Sequence, residues 1–310
     1  MESFNIDEYI ASLPDNITTI DVSNKNLTYL PDLTRFENLK TFKCSDNKIT
    51  VLPALPKKLQ ELKCHYNKLT ALPSLPEYLQ ELYCSGNQLT SLPVLPKYLI
   101  KLSCSYSYLT SLPTLPTYYL EVLYCNDNYL TSLPVLPKSL EVLYCDNNQL
   151  TSLPVLPKKL ISFNCSGNLL TSLPILPKKL EVFHCDGNRL TSLPMLPKYL
   201  RTLYCRNNNI TSLPTLPENV RIIKYYDNPI FDIIPYENMD RIKAKIKIWN
   251  RFRELFYTLK YKSRFRNWLW EKVRLQKIKN QFHPSHLMTQ LENEEVDLDE
   301  VLVDWISEMP

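Results

Sequence analysis

Between residues 13 and 235 the chain repeats one pattern of apolar and polar positions about every twenty residues. In each copy a pair such as Leu82 and Cys84 alternates with Glu81, Tyr83 and Ser85, which is the period of a short strand with one buried face. The Leu and Cys are therefore expected to point inward. The nine cysteines, at 44, 64, 84, 104, 125, 145, 165, 185 and 205, keep this period with one 21-residue step. Adding Val22 before them and Tyr225 after them predicts strands in eleven coils, stacked in parallel so that each covers the apolar edge of the next.

Two further columns define the coil. Three residues after eight of the nine cysteines and after Tyr225 stand Asn47, Asn67, Asn87, Asn128, Asn148, Asn168, Asn188, Asn208 and Asn228, with Lys25 in the first coil. An amide carries both a donor and an acceptor, so an inward row of them can satisfy backbone groups left unpaired where the strands turn. Nine copies of Leu-Pro-x-Leu-Pro then follow. Proline has no N–H and a fixed φ, which predicts an extended, polyproline-like return path in place of a helix. Ser107 replaces the expected Asn, and an extra residue enters within Thr117-Tyr118-Tyr119, so a local irregularity is expected near 105–120.

From Tyr236 the period changes. Ile242, Ile246, Trp249, Phe252, Phe256 and Leu259 recur at three and four residues, and a second stretch runs from Phe265 through Trp268, Leu269 and Leu275 to Phe282. This predicts two amphipathic helices within a basic block, 236–283, that cap the exposed end of the array. Pro284 precedes an acidic block, 284–310, expected to form a helix from Leu287 to Trp305 and to lie back along the basic one. Residues 1–12 are read as the N-terminal cap.

Composition changes the picture in three places. Only three glycines but 24 prolines are present, and the repeated motif accounts for most of the prolines. Residues 1–235 hold 22 basic and 20 acidic side chains. That near balance argues against nucleic acid, although Lys57, Lys97, Lys138, Lys158, Lys178 and Lys198 form a row. The sequence also argues against membrane binding, the basic stretch 236–283 being the one route considered. No signal peptide or apolar run of about 18 residues is seen, so reduced thiols in the cytoplasm are expected. The cysteines are too regularly spaced to converge on a metal, and no metal, cofactor or catalytic residue is assigned.

The binding expectation comes from the strand residues that face outward. One column reads Thr19, Thr41, Glu61, Glu81, Lys101, Val122, Val142, Ser162, Val182, Thr202, Ile222; the next reads Asp21, Lys43, Lys63, Tyr83, Ser103, Tyr124, Tyr144, Asn164, His184, Tyr204, Lys224. The middle is apolar and aromatic, and the ends are charged. Tyrosine and β-branched side chains suit a sheet surface, yet they also anchor interfaces. The candidate partner-binding residues are Tyr83, Val122, Tyr124, Val142, Tyr144, Val182, His184 and Tyr204.

The Leu-Tyr-Cys-x-x-Asn phrase and the Leu-Pro-x-Leu-Pro motif resemble the short leucine-rich repeats of bacterial effector ubiquitin ligases and, more closely, those of giant DNA viruses. The inward Cys, the scarcity of Gly and the ending from Asp227-Asn228-Pro229-Ile230 to Asp297-Leu298-Asp299-Glu300-Val301-Leu302-Val303-Asp304-Trp305 carry the second likeness. The resemblance implies an α/β-type solenoid, a right-handed superhelix with a parallel concave sheet, an irregular convex side and a C-terminal helical cap. About activity it implies little, and the residues themselves are read as those of a monomeric, non-enzymatic scaffold that binds a protein partner on its concave face, in host cytoplasm if the origin is viral. The effector ligases carry their catalytic Cys in a helical domain outside the repeats. Nothing after Cys205 is a cysteine, so that chemistry is not carried over. The alternative is a substrate-recognition adaptor of a ubiquitin-transfer system.

Overall fold

The structure, a computed structural model, describes residues 4–269. Helix α1 (Ile6–Ser12) opens the array, with the Asn5 side chain accepting from the N–H groups of Asp7 and Glu8 at its N-terminus. Ile6 and Ile10 are buried against the first coils. The Arg35 guanidinium donates to the carbonyls of Ile10, in the helix, and Leu13, just beyond it, and pairs with Asp15.

Eleven three-residue strands follow, from β1 (Thr19–Asp21) to β11 (Ile222–Lys224), in one parallel sheet whose spatial order is the order of the chain. Neighbouring strands pair in register, Val122 with Val142 and Tyr124 with Tyr144 for example. Each strand ends one residue before its coil's cysteine, or before Val22 and Tyr225 in the first and last coils. The ladder nonetheless extends by one more bond, since the cysteine N–H still donates across, as from Cys145 to the Asn164 carbonyl (2.9 Å). All nine cysteines are free and fully buried, and burial pushes their thiols upward, Cys84 to about 12.

The asparagine row has the role expected of it. In each regular coil the Asn side chain accepts from an apolar residue's N–H in the preceding coil and donates to carbonyls around both cysteine positions. The Leu-Pro-x-Leu-Pro segments carry no helix or strand, and all but the last of their second prolines are buried. Between these elements lies a position that the sequence reading did not single out. Asn24, Asp46, Tyr66, Gly86, Tyr106, Asp127, Asn147, Gly167, Gly187, Asn207 and Asp227 all have φ between 50° and 66°. The turn after each strand thus requires a left-handed residue, and all three glycines of the chain sit there. Tyr66 and Tyr106 hold that conformation at a cost of about 1–2 kcal/mol each.

The last coil substitutes Tyr225 for the cysteine, and its hydroxyl donates to the Ile234 carbonyl at 2.9 Å. Asn228 ends the asparagine row, so its side chain is unavailable to cap the short helix α2 (Pro229–Ile233) that begins beside it. Helix α3 (Met239–Leu269) follows as a single helix. Two helices were expected, with a break before Phe265, but no Gly or Pro falls between 239 and 269 to make one. The first turns of this helix form the cap. Ile242 and Ile246 are buried and Trp249 packs on the core, whereas Phe252, Phe256 and Leu259 are exposed. Leu255 shares a side with these three and is exposed as well, and Tyr257 and Tyr261 are exposed on another side, so burial fades after Trp249.

The chain divides after Asn250 into two compact units, and the first turns of α3 belong with the solenoid. Lys243 and Asn250 fix these turns by donating to the carbonyls of Glu218 and Leu213. No described helix is long and apolar enough to cross a membrane. The expected remainder of the basic block, the turn at Pro284 and the acidic helix lie outside the described residues.

Candidate binding face

The outward side of the sheet is built by the first and third residues of each strand together with the residue after each cysteine. At its middle, Val122 and Tyr124 of β6 (Val122–Tyr124) lie beside Val142 and Tyr144 of β7 (Val142–Tyr144). The Tyr124 and Tyr144 rings meet edge to face with centroids 5.2 Å apart, and the Tyr144 hydroxyl lies 3.2 Å from Ser162 Oγ. All four side chains are half-buried, which is what packing along the ladder leaves of them.

The other candidates do not join this patch. Tyr83 is separated from it by Ser103 and belongs to an ionic group. Its hydroxyl donates to Glu81 at 2.8 Å, and Lys101 pairs with Glu81 as Lys63 does with Glu61. Burial and the Glu81 contact raise the Tyr83 phenol well above its ordinary value. Beyond Ser162 and Asn164, His184 and Tyr204 stack at 4.4 Å with planes 6° apart, next to Val182. Lys224 Nζ sits 4.7 Å from the centre of the Tyr204 ring. Burial lowers the His184 imidazole, so it is neutral at neutral pH. The face therefore carries three groups: an ionic one at Tyr83, an apolar one at Val122–Tyr144 and an aromatic, cationic one at His184–Tyr204.

The sequence reading missed the third outward column, which the same alternation extends one residue past each cysteine. Ser45 and His65 hydrogen-bond at 3.0 Å, Ser105 bonds Asn126, and Arg206 grips Asp186 through two nitrogens at 3.0 and 2.6 Å. Asp146 belongs to this column beside Tyr144. Burial, with a smaller push from Asp127, moves its carboxyl up to about 6. A folded-state value above the ordinary one near 4 means that folding binds a proton between about pH 4 and pH 6. Stability is then lost as pH rises through that window, and the deficit is complete above it. Asp146→Asn is expected to raise stability by about 1 kcal/mol at pH 7, a figure discounted for partial exposure, and to change little below pH 4. Denaturant midpoints of both proteins at the two pH values check this; equal midpoints at pH 7 would mean that the carboxylate is well solvated.

Among the described residues no group of three or more His, Cys, Asp or Glu side chains could hold a metal ion. The cysteine column is a row of buried thiols.

The coil geometry and the repeat sequence agree with comparisons to known proteins. A family model of two leucine-rich repeat copies matches residues 119–158 and again 178–218. The chain has the leucine-rich repeat fold. Among solved structures it is similar to YopM from Yersinia enterocolitica, at 33% identity and a TM-score of 0.61, over 70% of this chain and 52% of that one. The chain thus spans about half the length of that structure. YopM from Yersinia pestis matches at 29% identity and a TM-score of 0.47, over 68% of this chain and 78% of that one. A chain in the Toll–Spätzle complex of Drosophila shares the fold at 20% identity and a TM-score of 0.54, over 71% of this chain and 35% of that one. A search of curated protein sequences found no match.

Proposed function

We propose that this protein is a non-enzymatic scaffold whose concave sheet face binds a protein partner at Val122, Tyr124, Val142 and Tyr144. The observation that carries the reading is the adjacency of two Val-Leu-Tyr strands, which sets two aliphatic and two tyrosine side chains in one patch. Rigid amphipathic tyrosines give contact area at little entropic cost. Tyr83 on one side and Val182, His184 and Tyr204 on the other extend the contact as polar and cationic flanks. Cytoplasm, host cytoplasm for a viral protein of the giant-virus type, is the setting that free thiols favour.

The test replaces Tyr124 and Tyr144 together with alanine. Each tyrosine can supply about 2 kcal/mol at an interface centre, so losing both should cost about 4 kcal/mol and lower affinity for the main captured partner by roughly several hundred-fold. The unfolding midpoint should move little, because these side chains lie outside the buried column. A large fall in midpoint with binding retained would make the tyrosines structural. Capture of ubiquitin-transfer enzymes would instead favour the adaptor reading.

A further inference from the structure

The return segments carry a feature that the core does not explain. At the central position of the Leu-Pro-x-Leu-Pro motif, four successive coils place Val135, Val155, Ile175 and Met195, which are 87–89% exposed. Val94, two coils earlier, is 87% exposed as well. Nothing in the coil requires an apolar residue there, since Ala54, Ser74, Thr114 and Thr215 fill the same position elsewhere. Three residues further along these four coils stand Lys138, Lys158, Lys178 and Lys198, all exposed, and Lys159 and Lys179 are exposed next to two of them. A stripe of aliphatic tips thus runs beside a stripe of ammonium groups, on segments remote from the sheet face.

We propose that this stripe docks the protein on an anionic lipid surface, the four aliphatic side chains entering the headgroup–acyl boundary and the lysines pairing with lipid phosphate and carboxylate groups. Three properties favour lipid over an acidic protein. The side chains stand proud of the surface, and a fluid interface accepts protruding tips without a complementary pocket. They are aliphatic, whereas protein hot spots favour Trp, Tyr and Arg and are poor in Val. The cations are all lysines, point charges attracted to an anionic leaflet as a set, with no planar fork for one particular carboxylate. The stripe is distinct from the basic stretch of α3, which lies beyond the eleven coils.

The experiment uses the full chain and vesicles of phosphatidylcholine, alone or with about one-third phosphatidylserine. Sedimentation with the phosphatidylserine vesicles is expected, falling as salt is raised. Replacing Val135, Val155, Ile175 and Met195 together with serine should weaken that binding by roughly tenfold or more without changing the melting curve, because these residues are solvated in the folded protein. A single reporter locates the contact. Val155→Cys labelled with an environment-sensitive dye should shift its emission on the anionic vesicles, the nine native thiols being buried and slow to label. No sedimentation of the wild type would overturn the proposal. So would equal binding by the serine variant, or sedimentation with an unshifted label, either of which puts the contact on another surface. Stripe-dependent binding to poly-glutamate with vesicles ignored would overturn it in favour of an acidic protein.

Discussion

Asn148→Ala is expected to destabilise the solenoid by about 3–5 kcal/mol, among the largest effects available to one substitution in this chain. Its Oδ1 accepts from Leu130 N at 2.9 Å, while Nδ2 donates to the carbonyls of Cys125, Cys145 and Asp146 at 3.0–3.1 Å. Alanine removes all of these partners at once and leaves a buried N–H with no acceptor, each orphaned group costing about 1–3 kcal/mol. The chain contains the reverse experiment. At Ser107 the side chain is too short, its Oγ is buried without a partner, and the bond that an asparagine would accept from Leu89 N is not made. Ser107→Asn should therefore stabilise the array by about 1–2 kcal/mol. Urea midpoints for the two variants and the wild type give both values. If Asn148→Ala costs less than about 1 kcal/mol, water is reaching the row and the amides are not what holds the coils together.

That pair of positions shows why most of this fold was legible in the sequence. A coil contacts only its neighbours, so one side chain's environment recurs along the array and its residue type repeats in register. Leu, Cys and Asn could each be placed inward because alternation and hydrogen-bonding capacity leave them little choice. The left-handed turn position was harder to see, because it is filled variously by Asn, Asp, Gly and two tyrosines whose common property is a backbone angle. The binding face was legible only as columns. Which members meet depends on what stands between them, and Ser103, Ser162 and Asn164 divide eight candidates into three groups. The third column follows from the same alternation carried one residue further, but the raised carboxyl of Asp146 depends on burial, which spacing alone does not report. The C-terminal helix was legible as a cap only in its first turns. Its apolar residues keep three-and-four spacing beyond those turns, but Phe252, Leu255, Phe256 and Leu259, which share one side, are all exposed, and spacing alone does not report where burial stops.

The cap itself yields the second large effect. Ile242 and Ile246 are each 1% exposed and extend a core whose last members are Tyr225, Ile230 and Ile234. Replacing both with serine removes two buried side chains and introduces two hydroxyls, at about 2–5 kcal/mol for each site. In a globular core such a loss would weaken the whole molecule. In a solenoid, stability is nearly a sum of coil and interface contributions, so the damage should stay at the end where it is made. The cysteine column records this position by position, because a thiol that burial keeps protonated reacts slowly until its own coil opens. In the Ile242→Ser, Ile246→Ser variant Cys205 should be labelled roughly a hundredfold faster than in the wild type, while Cys145 three coils away should keep its native rate. Mass-resolved labelling of the nine thiols measures both. Equal acceleration of all nine would show that the array opens as one cooperative unit, and no acceleration at Cys205 would show that the last coil holds together without these two isoleucines.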